Sequence, residues 1–237
     1  MRAAIDLHIH SALSPCSDNS MTPNNIVNMA HLKGLDIIAV TDHNSAENVQ
    51  AVLNCAKNAG MVAVAGMEVE TREEVHIVCL FPDIEEAMHV QGIVYDSLPH
   101  LKNRVDIFGE QLIMDENDEI TGSVDRLLLT ATSLGVEDIF RIMKEVGGVA
   151  VPAHVDRESY GIISRLGSVP DYLDIKYFEI SSTCNQYQFE KQAGIAGKYG
   201  IIRSSDAHSL GSILERESFL EMDEISVRGL LDVLSGR

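Results

Sequence analysis

The residues best suited to chemistry in this 237-residue chain are histidines and carboxylates that lie in or just after short apolar runs. Together, imidazole and carboxylate groups are donors for Zn²⁺, Mn²⁺ or Fe²⁺, and there are more of them here than one tetrahedral ion can use. The motifs are Asp6-Leu-His-Ile-His10, Thr41-Asp-His43, Gly66-Met-Glu68, His76, Pro152-Ala-His154 and Ser205-Asp-Ala-His208. The sequence therefore predicts a site for more than one metal ion.

Strand ends have to position these groups. Seven apolar runs predict strands, and several are rich in Val and Ile, as in strands covered on both faces. The predicted strands are Ala3–His10, Asp36–Thr41, Val62–Val69, His76–Phe81, Gly148–His154, Tyr177–Ser181 and Ile201–Ser205. In a parallel α/β barrel the carboxyl ends of the strands meet at one mouth, where ligands bind. Alternation along the first strand predicts one face for Asp6, His8 and His10, and the opposite face for Leu7 and Ile9.

Helices are predicted between the strands from their start signals. Thr22 before Pro23 is typical of an N-cap followed by a first helical residue, and Asn44 with Glu47 resembles a capping box. Later helices are predicted around Val136–Glu145, Gln186–Tyr199 and Ser226–Leu234. This alternation predicts a single α/β domain over residues 1–237 with a mostly parallel sheet.

Residues 82–134 interrupt the alternation. The stretch is too long for one crossover connection and contains a hairpin-like pattern at 111–122. We interpret it as an insertion between the fourth and fifth strands. Because such a segment can fold over the mouth, we expect it to contribute to substrate specificity.

The chain is strongly acidic, with 18 Lys and Arg against 36 Asp and Glu and a formal net charge of −18. Duplex nucleic acid is not expected as a partner, because a binding face for it needs clustered Lys and Arg. A small anionic substrate is still compatible with divalent cations at the site. Four cysteines without a CxxC pair, together with the absence of an apolar leader or membrane span, predict a cytoplasmic protein without membrane contact. The composition indicates no oligomeric state.

Taken together, the motifs resemble the PHP family, the polymerase and histidinol phosphatase superfamily. The similarity rests, in this order, on Asp6–His10, Gly34–His43, Gly66–Glu68, His76, Pro152–His154 and Ser205–His208. It implies a distorted seven-stranded (βα)₇ TIM-like barrel with two or three divalent metal ions, Zn, Mn or Fe, at its mouth. In the catalytic members it also implies phosphoester hydrolysis.

The resemblance implies a ligand set by motif position. The first metal would be held by His8, His10, Glu68 and Asp206, the second by Glu68, His76 and His154, and the third by His43 and His208. Some members have a further histidine after the first motif, where this chain has Ser14-Pro-Cys-Ser-Asp-Asn19. Asp18, which fits a Ser-Asp-Gly pattern of other members, and Cys16 are the competing ligands there. A thiolate would favour zinc, whereas a carboxylate leaves manganese or iron open.

Further roles are predicted around the metal ligands. Asp206 and His208 are candidates for proton transfer. Arg157 and Arg203 are candidates for binding phosphate, since a guanidinium can bind two phosphate oxygens at once. The carboxylates expected to orient metal-bound imidazoles are Asp6 and Asp42.

These observations predict a metal-dependent phosphoesterase that hydrolyses a small phosphomonoester or bisphosphate through a metal-activated hydroxide. One alternative is a regulatory module that binds metal without turnover. A second is a PHP-type exonuclease, which the lack of a basic stripe disfavours.

Overall fold

Strands and helices alternate along the chain in the computed structural model, which describes residues 1–237. The strands are β1 (Arg2–Ile9), β2 (Ile37–Val40), β3 (Val62–Glu70), β4 (His76–Phe81), β5 (Leu112–Met114), β6 (Ile120–Ser123), β7 (Val149–Pro152), β8 (Tyr177–Ser181), β9 (Gly200–Ser204) and β10 (Phe219–Glu221). The helices are α1 (Pro23–Leu32), α2 (Val49–Ala59), α3 (Ile84–Ser97), α4 (Val105–Phe108), α5 (Val136–Glu145), α6 (Ile162–Leu166), α7 (Gln186–Ala193) and α8 (Val227–Leu234). None of the helices combines the length and the hydropathy that crossing a bilayer requires.

Six strands form the main sheet in the order β10-β1-β2-β3-β4-β7, and β8 and β9 form a separate parallel pair. The strands β1, β2 and β3 run parallel, whereas β4 is antiparallel to both β3 and β7. Backbone hydrogen bonds from Val155 N to Glu179 O and from His10 N to Ala207 O, both 2.9 Å, connect the β8–β9 pair to the ends of β7 and β1. The sheet therefore curls into a half-barrel.

The predicted α/β class is confirmed, but an uninterrupted (βα)₇ barrel is not observed. Residues Thr71–Val75 connect β3 to β4. This connection is too short to hold a crossover helix, so β4 has to return antiparallel. The same turn determines where His76 lies. As the first residue of an antiparallel strand, His76 stands beside the carboxyl ends of the neighbouring parallel strands.

Apolar clusters on both faces of the sheet leave only the strand ends for polar groups. One cluster packs Leu230 and Leu231 of α8 against Ile5 and Leu7 of β1. On the other face, α1 and α2 cover β1 and β2, while α3 and α5 cover β3 and β4. This double cover explains why the strands are apolar at consecutive positions.

The alternation of β1 is interrupted near the mouth. Its pairing with β2 shifts register between Asp6 and Ile9, which adds one residue to β1. Leu7 packs in the cluster under α8, whereas Ile9 packs in the cluster under α1 and α2. The predicted shared face for Leu7 and Ile9 therefore does not hold, because a bulge turns the end of the strand. His8 and His10 still meet at the mouth, with their Nε2 atoms 3.2 Å apart.

The segment 82–134 contains α3, α4, β5 and β6. Ala87 and Val90 of α3 are part of the buried cluster that covers β3 and β4. The β5–β6 hairpin lies against the loop after β1, where Leu112 N donates to Ala12 O at 2.9 Å. The segment thus contributes to the core at one end and borders the mouth at the other.

Asn48 joins this hairpin to the rest of the fold, and we expect Asn48→Ala to lower the free energy of unfolding by about 2 to 4 kcal/mol. Its buried Nδ2 donates to Ser11 Oγ at 2.9 Å and to Leu112 O at 3.0 Å, and its Oδ1 accepts from Met114 N at 2.8 Å. Alanine leaves these buried groups without partners. Urea denaturation measures the loss, with the exposed Asn58→Ala as control. Equal effects at the two positions would contradict the assignment.

Candidate metal centre

Six strands bring eight predicted ligands to one end of the sheet. They are His8, His10, His43, Glu68, His76, His154, Asp206 and His208. The first six are buried, whereas the side chains of Asp206 and His208 are 10% and 32% exposed. The cluster is therefore closed on the side of the sheet and open only at the mouth.

Glu68 lies at the centre of the cluster. Its Oε1 is 2.8 Å from His76 Nδ1 and 3.2 Å from the Nε2 atoms of both His8 and His154. Its Oε2 is 2.9 Å from His43 Nδ1, yet this buried oxygen has no hydrogen-bond partner. Burying a carboxylate oxygen without a hydrogen-bond partner destabilises the folded state. Imidazole nitrogens that surround Oε2 without bonding to it therefore indicate a position that a cation can share with them.

Asp206 closes the cluster opposite Glu68. Its Oδ1 lies 3.0 Å from His10 Nε2 and 3.4 Å from His8 Nε2. The two Nε2 atoms also face each other at 3.2 Å, although a neutral imidazole carries only one proton. A metal ion, which accepts lone pairs from both rings and from the carboxylate, suits this arrangement.

A second set of groups holds the outer nitrogens of these rings. His8 Nδ1 is hydrogen-bonded to Glu179 Oε1 at 2.8 Å, and His10 Nδ1 to Ser14 Oγ at 2.9 Å. His208 Nδ1 contacts the backbone oxygen of Asp206 at 2.8 Å. With the outer nitrogens engaged, the Nε2 atoms of His8 and His10 are left to face the site.

The carboxylates predicted to orient imidazoles are not the ones that contact them. Asp6 accepts two backbone N–H groups of the loop after β9. Asp42 accepts from the hydroxyls of Ser11 and Ser14, both at 2.6 Å, and so reaches His10 only through Ser14. Apart from the proposed ligands Glu68 and Asp206, the carboxylate that contacts an imidazole of the cluster is Glu179, which the sequence analysis missed. Its signal was a single carboxylate inside the apolar strand β8.

The buried carboxylates set the electrostatics. Burial opposes the ionisation of Glu68, but the surrounding histidines outweigh it and hold its pKa well below its usual range; the same balance lowers the pKa of Asp206. Burial, reinforced by His43, lowers the pKa of His10 to about 3. Burial also opposes the charging of His43, yet Glu68 raises its pKa to about 10. Ionised carboxylates and a neutral His10 are the forms that bind metal ions.

Two of the residues are held in an unusual backbone conformation. His154 and Asp206 have φ angles of 30° and 51°, in the left-handed region that residues other than glycine rarely adopt. Polar contacts stabilise both, since His154 N donates to Glu179 Oε1 and Asp206 Oδ2 pairs with Arg157. Strain of this kind concentrates at functional sites.

The cluster contains three overlapping groups whose ligand atoms lie within 4.8 Å of one another. They are His8 with His10 and Glu68, His43 with Glu68 and His76, and His10 with His43 and His208. Imidazole nitrogens and carboxylate oxygens are suitable donors for zinc, manganese and ferrous iron. The residues therefore fit the two or three divalent metal ions that the sequence predicts.

The loop after β1 separates the two competing ligands. Asp18 is exposed, and its Oδ1 accepts from Ser20 N at 2.8 Å. Cys16 is also exposed, but its thiol lies at the rim beside the imidazoles of His208 and His43. Burial raises the pKa of this thiol, but the two imidazoles outweigh burial and lower it to about 7. The structure brings Cys16 to the cluster and leaves Asp18 outside it.

The two candidate arginines differ in position. Arg157 is 41% exposed at the mouth, and its Nη1 lies 2.6 Å from Asp206 Oδ2. The guanidinium of Arg203 instead donates to three backbone carbonyls of residues 181–184, at 2.7 to 3.0 Å. Arg203 thereby anchors the loop after β8, and its geometry does not support the expected role in binding phosphate.

Tyr160 lies beside the cluster without any sequence signal for it. Its ring stacks on that of His76 with the centroids 4.2 Å apart, and 38% of the residue is exposed. Its backbone oxygen accepts from His76 N at 3.0 Å. Tyr160 therefore covers the outer side of His76 and adds an aromatic surface near the mouth.

The family model of the PHP domain matches residues 6–148, more than half of the chain. The chain belongs to the PHP domain family. The resemblance inferred from the motifs is thereby confirmed. The matched segment of the PHP domain contains His8, His10, His43, Glu68 and His76.

Among curated proteins, this PHP domain is 25% identical over 154 residues to an uncharacterised protein of Methanocaldococcus jannaschii, covering 65% of the chain and 16% of that protein. It is 31% identical over 83 residues to a 5′-3′ exoribonuclease of Haemophilus influenzae, covering 34% of the chain and 29% of that enzyme. The chain thus spans less than a third of either relative.

Solved structures share the fold. The lesion-specific endonuclease PfuEndoQ of Pyrococcus furiosus superposes with a TM-score of 0.74 at 20% identity, over 100% of this PHP domain and 56% of the endonuclease chain. A protein of Bifidobacterium adolescentis, described as a proposed metal-dependent phosphoesterase, superposes with a TM-score of 0.63 at 17% identity. The match covers 98% of both chains. The half-barrel is therefore the fold of PHP-like proteins.

The expectation that duplex nucleic acid is not a partner is wrong. Endonuclease Q has been solved with a 27-mer duplex that carries an abasic lesion at the active site, and its fold matches all of this chain with a TM-score of 0.68 at 18% identity. The expectation rested on the net charge of −18. Net charge describes the whole surface, whereas the field around a site and its bound cations governs binding there.

In the metal-free protein, we expect Cys16 to react with iodoacetamide much faster than Cys55 or Cys184. The thiolate is the nucleophile, and burial raises the pKa of both other thiols to about 11, whereas that of Cys16 is about 7. Its rate should rise as the pH increases through this value and then level off. Peptide mass spectrometry after timed alkylation between about pH 5 and pH 9 measures each site. Equal rates at the three sites would contradict the geometry.

Proposed function

We propose that this PHP domain is a metal-dependent phosphoesterase that hydrolyses a small phosphomonoester or bisphosphate. The observation that carries the proposal is the buried Glu68 carboxylate, whose Oε2 has no hydrogen-bond partner although imidazole nitrogens surround it. Membership of a family with metal-dependent phosphoesterases supports a hydrolase. If the same residues bind metal ions but no substrate is hydrolysed, the domain is a metal-binding regulatory module.

We assign the ligands to three positions. The first is His8, His10, Glu68 and Asp206, the second Glu68, His76 and His154, and the third His43 and His208. The His43 Nδ1 contact with Glu68 Oε2 at 2.9 Å puts His43 at the boundary between the last two positions. When bound, divalent ions supply Lewis acidity, which offsets charge on phosphoryl oxygens and lowers the pKa of water.

Arg157 is our candidate for binding the phosphate. It is half-exposed and is paired with Asp206 at 2.6 Å. A cation at Asp206 would compete with this pairing and free the guanidinium to bind two phosphate oxygens side by side. Arg157 would therefore orient the substrate over the cluster.

Asp206 and His208 remain our candidates for proton transfer. His208 is the most exposed imidazole of the cluster, and its Nδ1 is engaged with the backbone oxygen of Asp206 at 2.8 Å. Its Nε2 is thus the atom that would give a proton to the leaving group. An Nε2 atom whose lone pair is bound to a metal ion carries no proton, so His208 can take the proton role only while the third metal position is empty. With that position filled, His208 is a ligand and not a proton donor.

A second candidate is hydrolysis of nucleic-acid phosphodiesters. It is favoured by the match to an exoribonuclease and by the fold shared with endonuclease Q. The segment 82–134 would select between the two substrates, because its hairpin and the loop before α1 border the same mouth. Their contact includes Asn19 Nδ2 and Glu110 Oε2 at 3.3 Å.

A substrate panel distinguishes the candidates. The purified protein is tested with p-nitrophenyl phosphate, a nucleoside bisphosphate, single-stranded RNA and an abasic duplex, each with Mn²⁺, with Zn²⁺ and with chelator. Metal-dependent phosphate release from the first two supports the proposal, and cleavage of the polymers alone supports the second candidate. No hydrolysis of any substrate would indicate the regulatory module.

We expect His10→Ala and Asp206→Asn each to abolish hydrolysis while the melting temperature of the metal-free protein changes little. The reason is that asparagine keeps an acceptor oxygen for the Arg157 contact, and that His10, whose pKa is lowered to about 3, brings no charge to the metal-free cluster. Differential scanning fluorimetry and phosphate release measure the two effects. Arg228→Ala, with a side chain 91% exposed, is the control. Turnover retained by either variant would show that the site is misassigned.

We expect Glu179→Gln to weaken metal binding by about 10- to 100-fold, as is typical when a carboxylate behind a ligating histidine is replaced. Glutamine keeps the shape, but it cannot offer a charged acceptor to His8 Nδ1. Isothermal titration with Zn²⁺ or Mn²⁺ measures the affinity, and Glu217→Gln at an exposed position is the control. Unchanged affinity would show that Glu179 does not support the metal site.

A further inference from the structure

The loop between β1 and α1 is held firmly over the mouth. Ser17 N donates to Ser14 O, Asp18 N donates to His208 O, and Met21 N donates to Asp18 O, each at 2.9 Å. On the outer side, Gly109 packs so closely on Pro15 O that no side chain would fit at this position. The backbone on either side of Cys16 is therefore fixed relative to the cluster.

This loop places a sulfur atom where the third group of donors is incomplete. His43 and His208, together with His10, bring ring nitrogens within 4.8 Å of one another. The Cys16 thiol lies beside the imidazoles of His208 and His43. His10 is also part of the first group and His43 of the second, so His208 is the one imidazole that the third group does not share.

The competing carboxylate is unable to fill this gap in the observed loop conformation. Asp18 is exposed, and its Oδ1 closes a local turn by accepting from Ser20 N at 2.8 Å. Bringing it to the cluster would break this bond. Cys16 already lies beside two of the three imidazoles.

We propose that Cys16 is the thiolate ligand of the third metal position and completes it with His43 and His208. The inference rests on the proposed function, since it assumes that metal ions occupy the cluster. Its chemical consequence is a difference between positions. The first two offer nitrogen and oxygen donors, which accept manganese or iron as well as zinc, whereas a thiolate makes the third selective for zinc and other thiophilic ions.

Cobalt(II) substitution tests the thiolate directly, because sulfur bound to cobalt gives a near-ultraviolet charge-transfer band that nitrogen and oxygen donors do not give. The full chain, freed of metal, is titrated with Co²⁺ and then with Zn²⁺. We expect the band in the wild-type chain and in Asp18→Asn, and its complete loss in Cys16→Ser. Cys184→Ser is the matched control for an uninvolved cysteine. Zinc analysis should show one tightly bound equivalent fewer in Cys16→Ser than in the control.

A second measurement uses the unmodified chain and so does not depend on the folding of a variant. Zn²⁺ should protect Cys16 from iodoacetamide, whereas Mg²⁺ should not. Three outcomes would each overturn the proposal. The band could persist in Cys16→Ser, it could be lost in Asp18→Asn, or Cys16 could react with iodoacetamide in the zinc-loaded protein. Phosphoesterase activity is recorded separately. A cobalt–sulfur band without activity would support the Cys16 assignment and reject the proposed function. Activity without the band would support the proposed function and reject the Cys16 assignment.

Discussion

A carboxylate buried among six strands requires positive charge beside it, and much of the geometry at the mouth follows from this requirement. Glu68 is 1% exposed and has one oxygen without a hydrogen bond. The curled sheet supplies imidazoles from both sides, and outer groups such as Glu179 and Ser14 turn their nitrogens inward. Two residues, His154 and Asp206, adopt a strained backbone to take part. The fold therefore holds in place a charge that a cation can balance.

The sequence was sufficient to locate the cluster, because apolar strands and the residues at their ends are both readable from it. The direction of β4 was not recognised, although the short connection Thr71–Val75 already excluded a crossover helix. Whether Cys16 or Asp18 lies beside the cluster depends on a single turn that a backbone N–H closes. The residue types in the loop do not determine the conformation of this turn. Glu179 was missed because one carboxylate in an apolar strand gives no periodic signal. Arg203 was named as a candidate for binding phosphate, because the sequence does not show that its partners are backbone carbonyls.

The acidic composition describes the protein surface better than it describes the site. Two carboxylates of the cluster, the buried Glu68 and the largely buried Asp206, are part of the negative count, yet these are the groups that attract divalent cations. A polyanion that approaches the mouth would meet the local field of the cations and of Arg157. Charge counted over the whole chain therefore separates neither small from polymeric phosphoesters nor single strands from duplexes. In our proposal, selection between them would depend on the shape of the rim that the segment 82–134 forms with the loop after β1.

The β3–β4 hairpin also bears on the order in which the centre assembles during folding. Glu68 and His76 belong to this one hairpin, which closes at a small cost in chain entropy. His10 and Asp206 are 196 residues apart and meet only after β9 has docked beside β1. Local contacts of the first kind form faster than distant ones. Half of the centre can therefore form early, and the other half forms only once the two ends of the barrel have met.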